Sequence, residues 1–332
     1  MRQYLSLATF VCSTLLSFNS LASEAKAQNQ KTIRWVLAHE PARVFERAAR
    51  HFAAEVAKNS KGELKVEIIG LDGKSLELSP FEAFSKVKQG EVEMCQTYTT
   101  YLGHQSKDLW VLDLPFLFKN HQHATRVLDG AIGKQLLASL DSKGVKGLGF
   151  TYSGGYRVIP SQSKPLQSKE DFKDLKIKVT DSPVAQAYMT ELGAAPVYLK
   201  DERHYEKGAE AYETTFARLP AIKDTESQYV NVTEHSLFLT SIIVNKAFFD
   251  SLTPAQQKIV SDAVAATAKL EREDSIKDND DQRKRLEASK NVKVVEVAPQ
   301  LRGHMQTVAQ KIHQSYEGYF SKGLVAKIKA AE

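Results

Sequence analysis

Hydrophobic and polar positions follow two rhythms along this chain, one of period two and one of period 3.6, and the rhythms take turns. Thr32–Ala38 (TIRWVLA) reads as a strand. After Pro41, the apolar residues Val44, Phe45, Ala48, Phe52 and Val56 recur at helical spacing and predict a helix to about Lys58. Gly62 interrupts, and Leu64–Ile69 alternates as a strand. Pro80–Lys88 predicts a short helix closed by Gly90, with a strand over Glu91–Tyr98. The apolar segment Leu112–Phe118 contains Pro115, which lacks the N–H that regular pairing needs. Gln122–Leu140 predicts one helix, with Gly144 close behind and a strand over Val145–Tyr152. This βαβα alternation predicts an α/β domain with a largely parallel sheet.

A second round follows. Tyr156–Pro160 is extended, Ser168–Asp171 starts a helical turn, and Lys176–Thr180 is a strand. Val184–Leu192 is a helix closed by Gly193. Ala195–Leu199 and Ala209–Thr214 are short strands, and Leu237–Asn245 is a long apolar one. Then the pattern changes. Thr253 and Pro254 form an N-cap and first-turn proline pair, and nothing breaks the helix until about Leu286. Roughly 30 residues at 1.5 Å each give about 45 Å, enough to brace two domains. Val292–Val297 is a strand and Gln300–Tyr319 a last helix.

Composition narrows the class. The 332 residues are 42% apolar and 26% charged, ordinary values for a folded chain about twice the length of one domain. The net charge of +5 is spread among interspersed Lys, Asp and Glu, which gives no nucleic-acid footprint. Arg283-Lys284-Arg285 follows Asp278, Asp280 and Asp281 and reads as a solvated helix face. At the N-terminus, Met1-Arg2-Gln3, the uncharged run Tyr4–Phe18 and the small residues Ser20-Leu21-Ala22 have the layout of a signal peptide. Cleavage is expected after Ala22 or Ala27, and Val11 before Cys12 is too large for a lipidation site. Removal of residues 1–27 leaves Cys95 as a lone thiol in an apolar strand, expected to be buried and inert. An exported, soluble chain without internal disulfides is expected.

No HExxH, GxSxG, phosphate-loop or CxxC pattern is present, so neither an enzyme nor a cofactor or metal is expected. His121 and His123 are two apart and point to different helix faces. Asn231-Val232-Thr233 fits a glycosylation acceptor pattern of low specificity. The binding signals lie elsewhere. Ser153-Gly154-Gly155-Tyr156-Arg157 follows a strand, and its two glycines let backbone approach a ligand or cross between domains. Arg157 offers a planar fork suited to a carboxylate. Lys178 stands on a strand opposite Ile177 and Val179. Glu213-Thr214-Thr215 places hydroxyls at a strand end.

Several segments together resemble the solute-binding proteins of the tripartite ATP-independent periplasmic (TRAP) transporters, the dicarboxylate-binding DctP-like family. These are LDLPFLF at Leu112–Phe118, LDGAIGKQLL at Leu128–Leu137, and GGYRVIPSQSKPLQSKEDFKDLKIKV at Gly154–Val179. LGAAPV at Leu192–Val197 and the strand-plus-helix segment Ile242–Ala266 complete the match. The resemblance implies two α/β lobes, each a mixed sheet flanked by helices, joined by crossing strands and a long spanning helix. Lobe I would comprise 28–154 with about 243–270, and lobe II 155–242 with about 271–332. It implies a periplasmic protein that captures a small organic acid anion in the interlobe cleft and delivers it to TRAP permease subunits; a monomer is expected, since nothing in the sequence suggests an obligate dimer.

By the same resemblance, Arg157 stands where the family pairs with a ligand carboxylate. Lys178 stands where a second Arg is usual, and a point charge loses the bidentate grip. Thr215 falls at the position of a ligand-contacting Asn, with Thr214 and Glu213 beside it. His39, Glu40, Gln96, Tyr98, Tyr101 and Tyr152 are further cleft candidates from the ends of first-lobe strands. A ligand-presenting module for a receptor kinase is the second reading, and a periplasmic enzyme using Glu213 or Glu40 the third. A C4-dicarboxylate and a monocarboxylate, aromatic or hydroxylated, both remain open as ligand.

Overall fold

The computed structural model describes residues 30–38, 43–72, 76, 78–197, 208–219, 228–289 and 291–331. The expected signal segment 1–27 and the cleft candidates His39 and Glu40 lie outside the described residues.

The strands are β1 Lys31–Val36, β2 Leu64–Ile69, β3 Met94–Tyr98, β4 Val145–Tyr156, β5 Ile159–Ser161, β6 Lys176–Lys178, β7 Ala195–Val197, β8 Ala211–Tyr212, β9 Tyr229–Val232, β10 Leu237–Asn245 and β11 Lys293–Glu296. They form two sheets, one in the order β2-β1-β3-β10-β4 and the other β11-β9-β5-β8-β6-β7. In the first sheet β1 runs parallel to β2 and β3, but β10 is antiparallel to β3 and β4. The sheet is therefore mixed rather than largely parallel. The parallel part is the expected βαβα unit, and β10 returns into it from the second sheet in the opposite sense. The second sheet is mixed as well, with β5 antiparallel to β8 and β9.

Helix Arg43–Asn59 buries Val44, Phe45, Ala48, Phe52 and Val56, the residues selected by the period, together with Ala49. Phe52 meets Trp35 of β1 at a ring separation of 5.0 Å. The free Cys95 is fully buried in the core on the other face. The single helix expected over Gln122–Leu140 is two, His121–Asp129 and Ala131–Ala138. Gly130 is extended between them, and a Cβ on Gly133 would stand 1.9 Å from the Leu128 carbonyl oxygen. Periodicity continues through such a break because both helices bury the same side.

The chain passes between sheets at 157–158, at 233–236 and along the helix Pro254–Ala288. β10 lies in the first sheet along its whole length, so the second passage falls ahead of the expected boundary at 242–243. The crossing segments bond to one another: Arg157 N donates to Ser236 O at 2.8 Å, and Val158 pairs with Thr214. The long helix has 35 residues, about 52 Å. Thr253 and Gln256 form its capping box. Its middle is fastened to the first sheet by buried polar groups. Arg272 forks Asp129 and donates to Phe150 O, and Ser275 Oγ donates to Tyr152 O. The C-terminal helices are not confined to the second half, since His313 bonds Pro115 O and His123 bonds Ile328 O. Among the described residues, no helix is long and apolar enough to cross a membrane.

Candidate ligand-binding cleft

The site grows from the ends of two neighbouring strands of the first sheet. Tyr98 closes β3, and Phe238 stands near the start of the antiparallel β10, so both rings come to the same edge. They stack at 5.0 Å and 28°. Clefts at the carboxyl ends of parallel strands are the usual binding place in α/β folds. Onto this aromatic floor the first crossing delivers Arg157. Its backbone is fixed by Ser236 O and by Thr233 Oγ1, which donates to Arg157 O at 3.3 Å. Its guanidinium lies over the Phe238 ring, Cζ 3.6 Å from the centroid.

Arg157 is only 3% exposed, yet among the described residues its guanidinium has no hydrogen-bond or ion-pair partner. Stacking holds the plane of the fork and leaves its edge as the binding surface. Two buried carboxyls share its field. Glu213 Oε1 is bonded to His235 Nε2 at 2.7 Å, and its Oε2 accepts from Thr180 N at 3.0 Å. Burial pushes the Glu213 carboxyl up, but the His235 bond, the Arg157 and His235 charges and the Thr180 N–H outweigh it and hold the pKa below its ordinary value. Asp113, inside the LDLPFLF segment, accepts from Thr100 Oγ1 at 3.1 Å, and among the described residues its Oδ2 has no hydrogen-bond partner. Burial pushes its pKa up to about 6 against the pull of Arg157. Across the cleft edge, His104 Nε2 meets Asp181 Oδ2 at 2.7 Å, joining the segment after β3 to the segment after β6.

Of the residues singled out in the sequence, Arg157 and Tyr98 come together at Phe238, and the Tyr101 ring lies 6.2 Å from that of Tyr98. Lys178 is half-buried on β6, where its carbonyl accepts from Glu213 N. Glu213 lies beside Arg157, but both its oxygens are engaged inward. Thr214 Oγ1 is buried, with no hydrogen-bond partner among the described residues. Thr215 is fully buried and its hydroxyl donates to Ser153 O at 2.9 Å, so it ties the segment after β8 to β4. Its packing explains Gly154: a Cβ there would stand 2.2 Å from Thr215 Oγ1, and φ is +92°.

Gln96 and Tyr152 are not brought to Arg157. Gln96 points under the long helix, donating to Thr151 Oγ1, Thr240 Oγ1 and Glu271 Oε1 at 2.8, 3.0 and 2.6 Å. Tyr152 is fully buried with its ring 5.4 Å from that of His121. Asn231 of the glycosylation pattern is buried and bonded to Ile159 O, Ser161 Oγ and Leu166 N.

Sequence reasoning missed Phe238, Asp113 and, above all, Arg218. Arg218 closes a short 3-10 turn at Phe216–Arg218, and its NH1 donates to Tyr98 Oη at 2.7 Å and Ser153 Oγ at 3.1 Å. Asp113 could have been found inside the quoted motif as a charge flanked by leucines. Nothing in the sequence marks Arg218. Among the described residues, no cluster of three or more His, Cys, Asp and Glu is placed to hold a metal ion.

Two mixed sheets joined by two crossing segments and a bracing helix, with a cationic aromatic site at the junction, define a two-lobed solute-binding protein. The profile of the bacterial extracellular solute-binding proteins, family 7 (DctP), matches residues 37–319. The chain belongs to that family. Over 226 residues it is 31% identical to the 2,3-diketo-L-gulonate-binding periplasmic protein YiaO of Escherichia coli K12, covering 66% of this chain and 67% of that one. It is 25% identical over 256 residues to the C4-dicarboxylate-binding periplasmic protein DctP of Rhodobacter capsulatus, covering 75% and 76%. The fold matches the sugar acid binding protein DctPAm of Advenella mimigardefordensis, solved with galactonate, at a TM-score of 0.83 and 25% identity, over 91% of this chain and 98% of that one.

Proposed function

We propose that the protein captures a small organic acid anion at the junction of its two sheets, with Arg157 binding the carboxylate, and delivers it to the membrane permease of a TRAP transporter. The observation that carries this reading is the Arg157 guanidinium, buried over Phe238 and lacking a hydrogen-bond partner among the described residues. A buried cation with an unfilled fork is costly unless an anion completes it. The relatives named for diketogulonate, galactonate and C4-dicarboxylates support an acid as the ligand class. On this reading residues 1–27 direct export and the protein works in the periplasm. Closure follows from differential contact, because Arg157 sits on the crossing while Tyr98 and Phe238 belong to the first sheet and Lys178 to the second.

Of the two carboxylates the enzymatic alternative would use, Glu213 is engaged with His235 and Thr180, and Glu40 lies outside the described residues. Calorimetric titration with a panel of aldonates, hydroxy acids and C4-diacids tests the proposal. At least one acid should bind the wild type, and Arg157→Ala should weaken it by at least about 2 kcal/mol, roughly 30-fold, as for a desolvated charge pair. Unchanged affinity in that variant would remove Arg157 from the site.

A further inference from the structure

We propose that the cavity behind the first crossing is a second binding site, and that it takes a small primary ammonium ion. The site lies apart from acid capture and stands without it. Its volume is about 80 Å³, room for about two or three water-sized groups. Its walls come from several parts that meet at the junction of the sheets: His121, Tyr156 at the end of β4, Glu234 in the second crossing, and Asn279 and Asp280 on the long helix.

Three buried atoms of these walls have no hydrogen-bond partner among the described residues: His121 Nδ1, Tyr156 Oη and Asn279 Oδ1. They come from separate elements and lie close together. The His121 and Tyr156 rings are 4.9 Å apart, and a Cβ on Gly155 would stand 3.8 Å from His121 Cε1 and 3.9 Å from Asn279 Cγ. Each such atom costs the fold a lost hydrogen bond, so three around one cavity point to a guest that bonds them. The exposed residues Glu234 and Asp280 add two carboxylates to the lining, and neither has a hydrogen bond or ion pair from its side chain among the described residues. The cation on the same wall, Arg283, is already committed to Glu287 and Glu296.

These groups ask for donors and a positive charge. Asn279 Oδ1 and ionised carboxylates can only accept, and Tyr156 Oη can accept as well. So can His121 Nδ1 in a neutral ring, which burial favours by lowering the His121 pKa against the pull of Asp280. A primary ammonium carries three N–H donors, one for each unpartnered atom, and its charge answers the acids. A quaternary ammonium brings charge without donors, and hard metal ions prefer oxygen to an imidazole nitrogen.

The cavity also meets the cleft through the backbone. Tyr156 and Val158 line the cavity, while Arg157 between them stacks on Phe238. Neighbouring side chains of an extended segment point to opposite sides, so these three residues are a wall common to cavity and cleft. A guest that holds Tyr156 and Val158 therefore holds Arg157 in place for its acid, and linkage makes the effect mutual. This coupling, unlike the site, rests on the acid-capture reading.

The probe is ethylammonium, followed on the mature protein by thermal unfolding and by NMR of the His121 ring. Tetramethylammonium and sodium at equal ionic strength are the controls. Ethylammonium should saturate, with a dissociation constant on the order of 1 mM for three heavy atoms, and should shift the ring signals; the controls should do neither. Asn279→Leu should weaken it at least about tenfold, and Asn279→Asp, which keeps the shape and adds a charge, should tighten it. Should the leucine variant not melt cooperatively, Glu234→Gln takes its place, with an expected loss of about threefold. With saturating ethylammonium the tightest-binding acid should bind at least about twofold more tightly, and Asn279→Leu should lose that gain while keeping the acid affinity measured without amine. A response that does not saturate, or an equal response to either control, overturns the site. So does an unchanged ethylammonium affinity in the folded variants. Saturable ethylammonium binding with unaltered acid affinity overturns the coupling alone. Ethylammonium binding without binding of any acid overturns acid capture and leaves the ammonium site standing.

Discussion

Strands β3, β4 and β10 carry two polar clusters only two residues apart, and they behave in opposite ways. At Gln96 and Thr240, the side chains turn under the long helix and meet Thr151 and Glu271. At Tyr98 and Phe238, the same strands present a ring face to Arg157 and Arg218. The first cluster contains a buried acid held among neutral partners. Burial raises the Glu271 carboxyl well above its ordinary range, against the Gln96 and Thr151 bonds and the Arg272 and Arg47 charges. The second contains a buried guanidinium stacked on a ring. Polar groups that complete one another build the frame; on the proposed reading, a guanidinium whose hydrogen-bonding edge the described residues leave unfilled is where the ligand docks.

The contrast can be broken experimentally. The largest effects belong to the frame. Glu271→Ala removes the acceptor for Gln96 and leaves a cavity under the long helix, and should cost about 3 kcal/mol of stability by denaturant unfolding. Ligand affinity of the folded fraction should not change. Glu271→Gln, which keeps an acceptor for Gln96 in place, should cost much less than Ala; a loss as large as for Ala would contradict the framing role of that acceptor.

Asp113 tests the site side of the comparison through pH. Its pKa is pushed from 3.8 to about 6 in the fold, so the folded state holds the proton more tightly than the unfolded chain. The stability this brings is complete below pH 3.8 and is lost as pH rises through about 6, on the order of 3 kcal/mol for a two-unit shift. Asp113→Asn should flatten that part of the stability profile and raise the melting temperature at pH 8 relative to wild type more than at pH 4. A parallel pair of profiles would contradict it.

The smallest effect is expected at the cleft edge. The His104–Asp181 pair is partly exposed, so His104→Ala should weaken ligand binding by no more than about 1 kcal/mol. It does so by loosening the closed state rather than by losing a ligand contact, and the deficit should be similar for every acid tested. A deficit that varied strongly from acid to acid would instead place His104 against the ligand.

The elements that period and capping define were legible from the chain. Helix Arg43–Asn59 buries the apolar residues the 3.6 period picked, and Thr253-Pro254 opens the helix that braces the sheets. Arg157 was marked in the chain too, because paired glycines before an arginine are a local signal, and the structure buries its guanidinium over Phe238. What failed depended on tertiary direction. Gln96 and Tyr98 lie on the same side of β3, and only the position of the long helix decides that one is roofed over and the other faces the cleft. Tyr152 and Thr215 were drawn to the site by neighbours in sequence, but the pleat of β4 turns Tyr152 toward His121, and the crossing buries Thr215 against Ser153. Arg218 reaches Tyr98 across 120 positions of chain, a distance that no local pattern encodes.

The central claim is that an anion completes the Arg157 fork over Phe238. A crystal structure of the mature protein with its tightest-binding acid tests it most directly. The expected result is a ligand carboxylate on the Arg157 guanidinium at about 2.7–2.9 Å, with the guanidinium still stacked on Phe238. A bound acid whose carboxylate rests on other groups, with Arg157 turned onto Glu213 or Asp113, would contradict the account.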